Sequence, residues 1–180
     1  YARLRAVLRP ETVIVFHDGF RLLRWGGWFR RAGMRNVMLD THQYLIAMED
    51  PLFSGPARRL YLRSRRLPWL YRMLVGASGI AIRSAARRIP VLVGEWCVEN
   101  QWALHSQNRS AAYRQVSRLQ RAAWDVTAGQ IYWSYQLARS AKPGSGEGKP
   151  PRDPRNGGNL EAWDLTRVWR HGWIRADTSH

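Results

Sequence analysis

Four short apolar runs lie along the chain, and each one leads into polar or aromatic residues. The runs read TVIVFHDGF, NVMLDTHQYL, IPVLVGEWC and GQIYWSYQL, at residues 12–20, 36–45, 89–97 and 129–137. Apolar runs of this length, bounded by turn residues, are typical of buried strands. We therefore predict four β-strands that are apolar on both faces and polar at their carboxyl ends.

Helix-like segments separate these runs. The spacing of apolar residues predicts helices over 69–88, 110–126 and 160–171, and residues 1–10 have the pattern of a helix end. Residues 140–159 are rich in Gly, Pro and charge, which predicts a flexible loop. Strands that alternate with helices indicate an α/β fold with a parallel sheet.

The size of the repeating unit narrows the architecture. An eight-unit β/α barrel has about 250 residues, so four units with long loops approach the 180 residues of this chain. We predict one catalytic unit over residues 1–180 that corresponds to half of a (β/α)8 TIM barrel. A complete doubly wound domain is the alternative, but it would prefer a Gly-rich phosphate turn after the first strand, and FHDGFR is not one.

The charge raises the possibility of a polyanion partner. The formal net charge is +16, and all 29 basic residues except Lys142 and Lys149 are arginines. Because these arginines are scattered at spacings that suit solvated helix faces, we expect no nucleic-acid partner. A missing acidic partner segment would also account for part of the imbalance.

The lengths of the apolar runs and the number and spacing of Cys, His, Asp and Glu bear on membrane, disulfide and metal-binding classes. No apolar run approaches the roughly 20 residues that span a bilayer, so we expect no membrane span. Cys97 is the single cysteine, which excludes a disulfide within the chain and a thiolate metal cluster. We expect Cys97 to be a small buried core residue. No His, Asp or Glu set has metal-ligand spacing, so we predict no metal and no cofactor.

The carboxyl ends of the predicted strands carry candidate chemistry. The polar and aromatic residues found there are His17, Asp18, Asp40, His42, Tyr44, Glu95, Trp96, Tyr132, Trp133 and Tyr135. In β/α barrels the active site lies at this end of the strands, so we expect one shared site. Val91, Val93 and Glu95 alternate, which predicts apolar side chains inside the barrel and a carboxylate at its mouth.

The residue types suggest sugar hydrolysis. Retaining glycosidases use two carboxyl groups about 5–5.5 Å apart, one as nucleophile and one as acid/base. A nucleophilic carboxylate must stay ionised, and His42 and Tyr44 could donate hydrogen bonds to Glu95. The ring face of Trp133 suits the apolar face of a pyranose. An isolated His is more often structural, and this interpretation stays open for His17.

The four motifs together resemble the last four strands, five to eight, of family 5 glycoside hydrolases, and the exo-β-1,3-glucanase branch most of all. This resemblance implies that Glu95 is the nucleophile, that His42 and Tyr44 orient it, and that Trp133 is the sugar platform. It also implies further substrate-binding residues, which are His17, Asp18, Phe20, Trp96, Glu99, Asn100 and Trp102. The tryptophans elsewhere, Trp163 among them, are predicted to pack in the core or on helices.

The chain departs from this family at the second carboxylate. The family's acid/base Glu follows an Asn at the end of strand four, and that pair would precede Tyr1. Glu99 and Asn100 have the reverse order and lie after the nucleophile. We therefore expect a C-terminal half that needs its N-terminal half-barrel and is inactive alone. The expected substrate is an oligo- or polysaccharide β-glucan, with β-1,3-glucan favoured, and the resemblance favours an extracellular or cell-envelope location.

Two other functions stay open at this point. The chain could be a catalytically inactive relative that still binds carbohydrate through Trp133. It could also be a basic protein that binds a polyanion.

Overall fold

The computed structural model describes residues 1–25, 27–53, 67–137 and 159–175. Its strands are β1 (Ile14–His17), β2 (Val37–Gln43), β3 (Val91–Trp96) and β4 (Gly129–Tyr132). They form a four-stranded sheet in the order β1-β2-β3-β4, and every neighbouring pair is parallel. The predicted α/β fold with a parallel sheet is confirmed, and all four strands lie within the predicted runs.

Helices connect and follow the strands. They are α1 (Ala2–Arg5), α2 (Leu22–Trp25), α3 (Trp28–Arg31), α4 (Leu45–Phe53), α5 (Leu67–Ala86), α6 (Gln101–His105), α7 (Arg109–Ala123) and α8 (Leu165–Arg170), with a 3-10 helix at Leu160–Trp163. Within the described ranges, none of these helices is both long and apolar enough to cross a membrane. The predicted loop 140–159 lies outside the described residues, apart from Asn159.

The predicted helix 160–171 is divided in two. Asp164 has an extended backbone, and its carboxylate accepts a hydrogen bond from the Arg167 amide, which starts α8. An Asp at this position offers the free amides of a first turn a partner, so the chain begins a new helix there. The predicted helix end at 1–10 is also short, since α1 has four residues and Val7 beyond it is exposed.

One face of the sheet is covered by helices. Alternate residues on β2 and β3, such as Leu39 and Val93, are fully buried in a cluster that includes Ile82 of α5 and Tyr113 of α7. Cys97 is buried in the same cluster as predicted, and burial raises the pKa of its thiol, which keeps it protonated and inert.

The opposite face, here named the open face, carries the intervening residues. Val15 of β1 and Ile131 of β4 are each about half exposed there, at 50% and 52%. The prediction that the strands are buried on both faces is therefore wrong for the described residues. The carboxyl end of the open face holds the polar cluster described below.

A bulge on β3 overturns the predicted alternation. Thr41 pairs with Val93, but the next residue of β2, His42, pairs with Glu95, so Gly94 is an extra residue. Val91 and Val93 therefore face the helices, whereas Glu95 lies on the open face. The prediction that these three side chains share a face is wrong, because one inserted residue reverses every later side chain.

Candidate active site

Glu95 is the centre of the polar cluster at the carboxyl end of the open face. The Tyr44 hydroxyl donates a hydrogen bond to Glu95 Oε2 at 2.8 Å. His42 Nδ1 lies 3.1 Å from the same oxygen. The Glu95 side chain is 25% exposed, so it is open to a ligand. The structure thus brings together the three residues that were predicted as catalytic.

Asp40 is a fourth member of this cluster, and the sequence prediction had not given it a role. Its Oδ2 lies 3.1 Å from His42 Nε2, so the imidazole bridges two carboxylates. Its Oδ1 accepts a hydrogen bond of 3.0 Å from the amide of Gly94 in the bulge. The signal was present in D-x-H-x-Y, since residues two apart on a strand share a face.

Tyr44 is fixed by an aromatic neighbour. Its ring stacks on Trp163 at a centroid distance of 5.3 Å and an angle of 28°. Burial and the hydrogen bond to Glu95 raise the pKa of Tyr44, which keeps the phenol a donor. Trp163 is therefore a site neighbour, although it was predicted only to pack. No sequence signal placed it here, because its partner lies more than a hundred residues away.

His17 and Phe20 reach the cluster from β1 and the turn after it. The His17 ring lies 4.3 Å from the His42 ring, and the Phe20 ring lies 5.3 Å from His17 and 6.4 Å from His42. Phe20 is 76% exposed, so its face is available to a ligand. The Gly19 amide donates to His17 Nδ1 at 3.1 Å, which makes this nitrogen an acceptor.

Asp18 has a structural position instead of the predicted substrate-binding one. The side chain is buried beneath the turn, and its carboxylate accepts hydrogen bonds from the Phe20 amide and the Thr41 hydroxyl, each 2.8 Å long. A buried carboxylate with these donors is satisfied internally. We therefore remove Asp18 from the candidate site.

Trp96 belongs to the core. It follows Glu95 on the strand and so points to the covered face, where its ring packs edge-on against Trp124 and Tyr132. Because neighbouring strand residues face opposite sides, Glu95 and Trp96 cannot both line the open face. This excludes Trp96 from the candidate site.

Asn100 and Trp102 support the segment after β3. Asn100 is buried and caps α6, since its Oδ1 accepts the Ala103 amide at 2.8 Å. Trp102 is half-buried, and its ring packs against Tyr71 at 5.4 Å. Both residues hold α6 in place. We remove Asn100 from the candidate site because its Oδ1 is used by the cap and its Nδ2 donates to the Val98 carbonyl at 2.7 Å.

Glu99 is buried in the segment after β3. It accepts hydrogen bonds of 3.1 Å from the Tyr113 hydroxyl and from the Asn159 amide. Burial raises the pKa of Glu99 to about 7, and the charge of nearby Glu49 adds to the rise. Glu49 is itself held by the Tyr71 hydroxyl and the Gln101 amide. Glu99 is therefore removed from the ligand-facing set.

Trp133 lies on the exposed side of the β4 end. Its amide donates to the carbonyl of Trp96 at 2.8 Å, which ties it to the strand that carries Glu95. The side chain is 50% exposed, and the peptide bond that follows, Trp133–Ser134, is cis. The Ser134 carbonyl accepts the Leu165 amide, and the Ser134 amide donates to the Trp163 carbonyl, so the β4 end and the 3-10 helix are joined.

The described residues contain no group of three or more His, Cys, Asp or Glu that could hold a metal ion. No protein-family model matches the chain, and no curated protein matches it either. The chemistry therefore has to be argued from the cluster itself. A partly exposed carboxylate that accepts a hydrogen bond and lies beside an imidazole is equipped to act as a nucleophile or a base.

Proposed function

We propose that the chain is half of a β/α-barrel glycosidase. Two features of the sheet support this half-barrel over a doubly wound domain. The strands follow one another in sequence order, whereas a doubly wound sheet reverses its order at a switch point. The described helices cover one face, and the open face carries half-exposed Val15 and Ile131, as the interior wall of a barrel would.

The proposed reaction is retaining hydrolysis of a β-glucan, with β-1,3-glucan favoured by the resemblance. Glu95 attacks the anomeric carbon, and the glycosidic C–O bond breaks as an acid/base Glu protonates the leaving oxygen. Water then attacks the glycosyl ester and gives up a proton to that same Glu, so Glu95 is released as a carboxylate. Trp133 and Phe20 offer ring faces to the sugars.

One observation carries this proposal. Glu95 Oε2 accepts a hydrogen bond from Tyr44 at 2.8 Å and lies 3.1 Å from His42 Nδ1, while the side chain is 25% exposed. The hydrogen bond and the imidazole hold one oxygen in place, and the exposure of the side chain leaves the carboxylate accessible.

The acid/base must come from outside this cluster. Among the described carboxylates, Asp40 is linked to Glu95 through His42, and both of its oxygens are engaged. An acid that protonates a leaving group needs a free oxygen facing the substrate. We propose that strands one to four supply this acid, so that the 180-residue chain alone shows no turnover on laminarin-type substrates. Turnover by the chain alone would contradict the half-barrel.

Covalent trapping tests the role of Glu95 directly. A 2-deoxy-2-fluoroglucoside with a good leaving group, applied to a longer form with the upstream half, should add one sugar to the peptide that contains Glu95. Mass spectrometry of the digest locates it, and Glu95→Gln is the matched control. Labelling elsewhere would refute the assignment. Laminarin binding without labelling or turnover would favour the inactive carbohydrate-binding relative.

A further inference from the structure

We propose that Asp40 is a positioning residue that sets both the direction and the donors of the Glu95 carboxylate. The proposal rests on the function proposed above for Glu95. The two Asp40 oxygens have separate roles, since Oδ1 holds the β3 bulge and Oδ2 fixes the protonation of His42. One side chain thus couples the backbone to the hydrogen-bond network of the site.

The first role is to stabilise the bulge. The Gly94 amide donates to Asp40 Oδ1 at 3.0 Å. Because Gly94 is the extra residue of the bulge, its N–H lies outside the regular ladder of β2 and β3, and Asp40 gives it a partner. A β-carbon on Gly94 would overlap the Asp40 carboxylate, with Cγ at 2.7 Å. Gly94 is therefore needed for space, and its contact with Asp40 keeps Glu95 on the open face.

The second role is to hold His42 as a double donor. Its Nε2 lies 3.1 Å from Asp40 Oδ2 and its Nδ1 lies 3.1 Å from Glu95 Oε2. An unprotonated ring nitrogen would point its lone pair at a carboxylate oxygen at this distance, and only the imidazolium carries N–H on both nitrogens. The geometry thus calls for a charged His42 between two ionised carboxylates, so that the three groups together carry one net negative charge.

The neighbours of His42 are compatible with this charge. His17 packs against it at 4.3 Å, but His17 Nδ1 accepts the Gly19 amide, so the His17 ring is neutral with its proton on Nε2. The other polar neighbour is Tyr44, which shares Glu95 Oε2 with His42 and is a neutral donor. No second cation opposes the imidazolium among the described groups that face it.

The substitution Asp40→Asn separates the two roles. The introduced amide can still accept the Gly94 N–H through its oxygen, but its NH2 group then faces His42 Nε2. The backbone N–H of Gly94 fixes the orientation of this amide, because it can only donate to the amide oxygen. The NH2 group and a protonated Nε2 would be two donors facing each other, so His42 should lose its Nε2 proton. Asp40→Ala removes both contacts, and it should therefore also free the Gly94 amide.

Nuclear magnetic resonance on the 15N-labelled chain tests the proposal without any enzyme assay. Near neutral pH, long-range 1H–15N spectra should show two protonated nitrogens for His42, assigned by their loss in His42→Gln. In Asp40→Asn, Nε2 should move to the unprotonated position while Nδ1 stays protonated. His17 should stay neutral in every variant and serves as an internal reference. A neutral His42 in the unaltered chain would overturn the proposal.

Hydrogen exchange tests the bulge. The Gly94 amide should exchange about tenfold faster in Asp40→Ala, as expected for loss of one hydrogen bond, and should keep its protection in Asp40→Asn. The matched control is Asp125→Asn on the protein surface, which should change neither readout. Equal protection in all variants would overturn the role of Asp40 in the bulge.

An activity assay then separates this proposal from the proposed function. In the form with the upstream half, Asp40→Asn should lower kcat and leave KM nearly unchanged, because the sugar contacts stay in place. If the form with the upstream half shows no turnover of laminarin, the proposed glycosidase function is contradicted. The His42 spectra would still decide the role of Asp40. Wild-type kcat in Asp40→Asn would overturn positioning even where the spectra change.

Discussion

Glu95 and Glu99 lie close together on one segment, and each accepts a hydrogen bond from a tyrosine hydroxyl and has one further polar neighbour. Tyr44 and His42 serve Glu95, while Tyr113 and the Asn159 amide serve Glu99. Glu95 is a quarter exposed on the open face. Glu99 is only 1% exposed.

The two carboxylates differ in their exposure to solvent and in their second polar neighbour. Burial raises the pKa of Glu99 to about 7, because a charge there loses its hydration and gains only neutral donors. Glu95 keeps contact with solvent and has an imidazole nitrogen 3.1 Å away as its second polar neighbour. Donor number alone therefore does not mark a reactive carboxylate, and accessibility on the open face decides the role.

The largest expected contrast concerns turnover. In the form with the upstream half, Glu95→Gln should lower kcat on the order of 10⁴-fold or more, because the nucleophile is lost, and should spare binding. Glu99→Gln should change kcat little, since it faces away from the ligand. Steady-state assays with laminarin and a binding titration measure both, and similar losses in the two variants would break the comparison.

The next contrast concerns stability against pH. The pKa of Glu99 is raised on folding, so its stabilising contribution is present below about pH 4.5 and is lost as the pH rises through about 7. The free energy of unfolding should fall by up to about 3 kcal/mol across this window relative to Glu99→Gln. Urea titrations of both proteins at several pH values test this. A constant difference between them would show that Glu99 does not titrate there.

A double-mutant cycle tests what holds Glu95 in place. Gly94→Ala should reduce the free energy of unfolding by about 1–3 kcal/mol, because the new methyl group overlaps Asp40. In an Asp40→Ala background the same change should cost about 1 kcal/mol less, since the overlapping atoms are gone. Additive effects in chemical denaturation would mean that the two residues do not oppose each other.

The smallest contrast pairs the two tyrosines. Tyr44→Phe removes a donor to Glu95, and kcat in the form with the upstream half should fall roughly tenfold. Tyr113→Phe removes the matching donor to Glu99, which should cost about 1–2 kcal/mol of stability and leave kcat unchanged. Kinetics and thermal unfolding of both variants give the comparison. Loss of kcat in Tyr113→Phe would link the buried carboxylate to the site.

The strands and the parallel sheet could be predicted because a strand is visible as a short apolar run, and because such runs alternate with helical segments. The sequence also brought Glu95, His42 and Tyr44 together, since residues at the ends of adjacent parallel strands meet at one edge. It could not place Asp18, Glu99 or Asn100, because their hydrogen-bond partners are set by tertiary structure. The half-barrel, the substrate and the reaction stay predictions.

The bulge at Gly94 could not be predicted from the sequence either, because the group that holds it, Asp40, lies on the neighbouring strand. Side chains along a strand alternate between its two faces. One inserted residue therefore moves every later side chain to the opposite face. The same residues in a regular strand without the bulge would turn the acid to the covered face and the indole to the open face. The composition of the motif would be unchanged, and the surface would lose the group that gives it a chemistry.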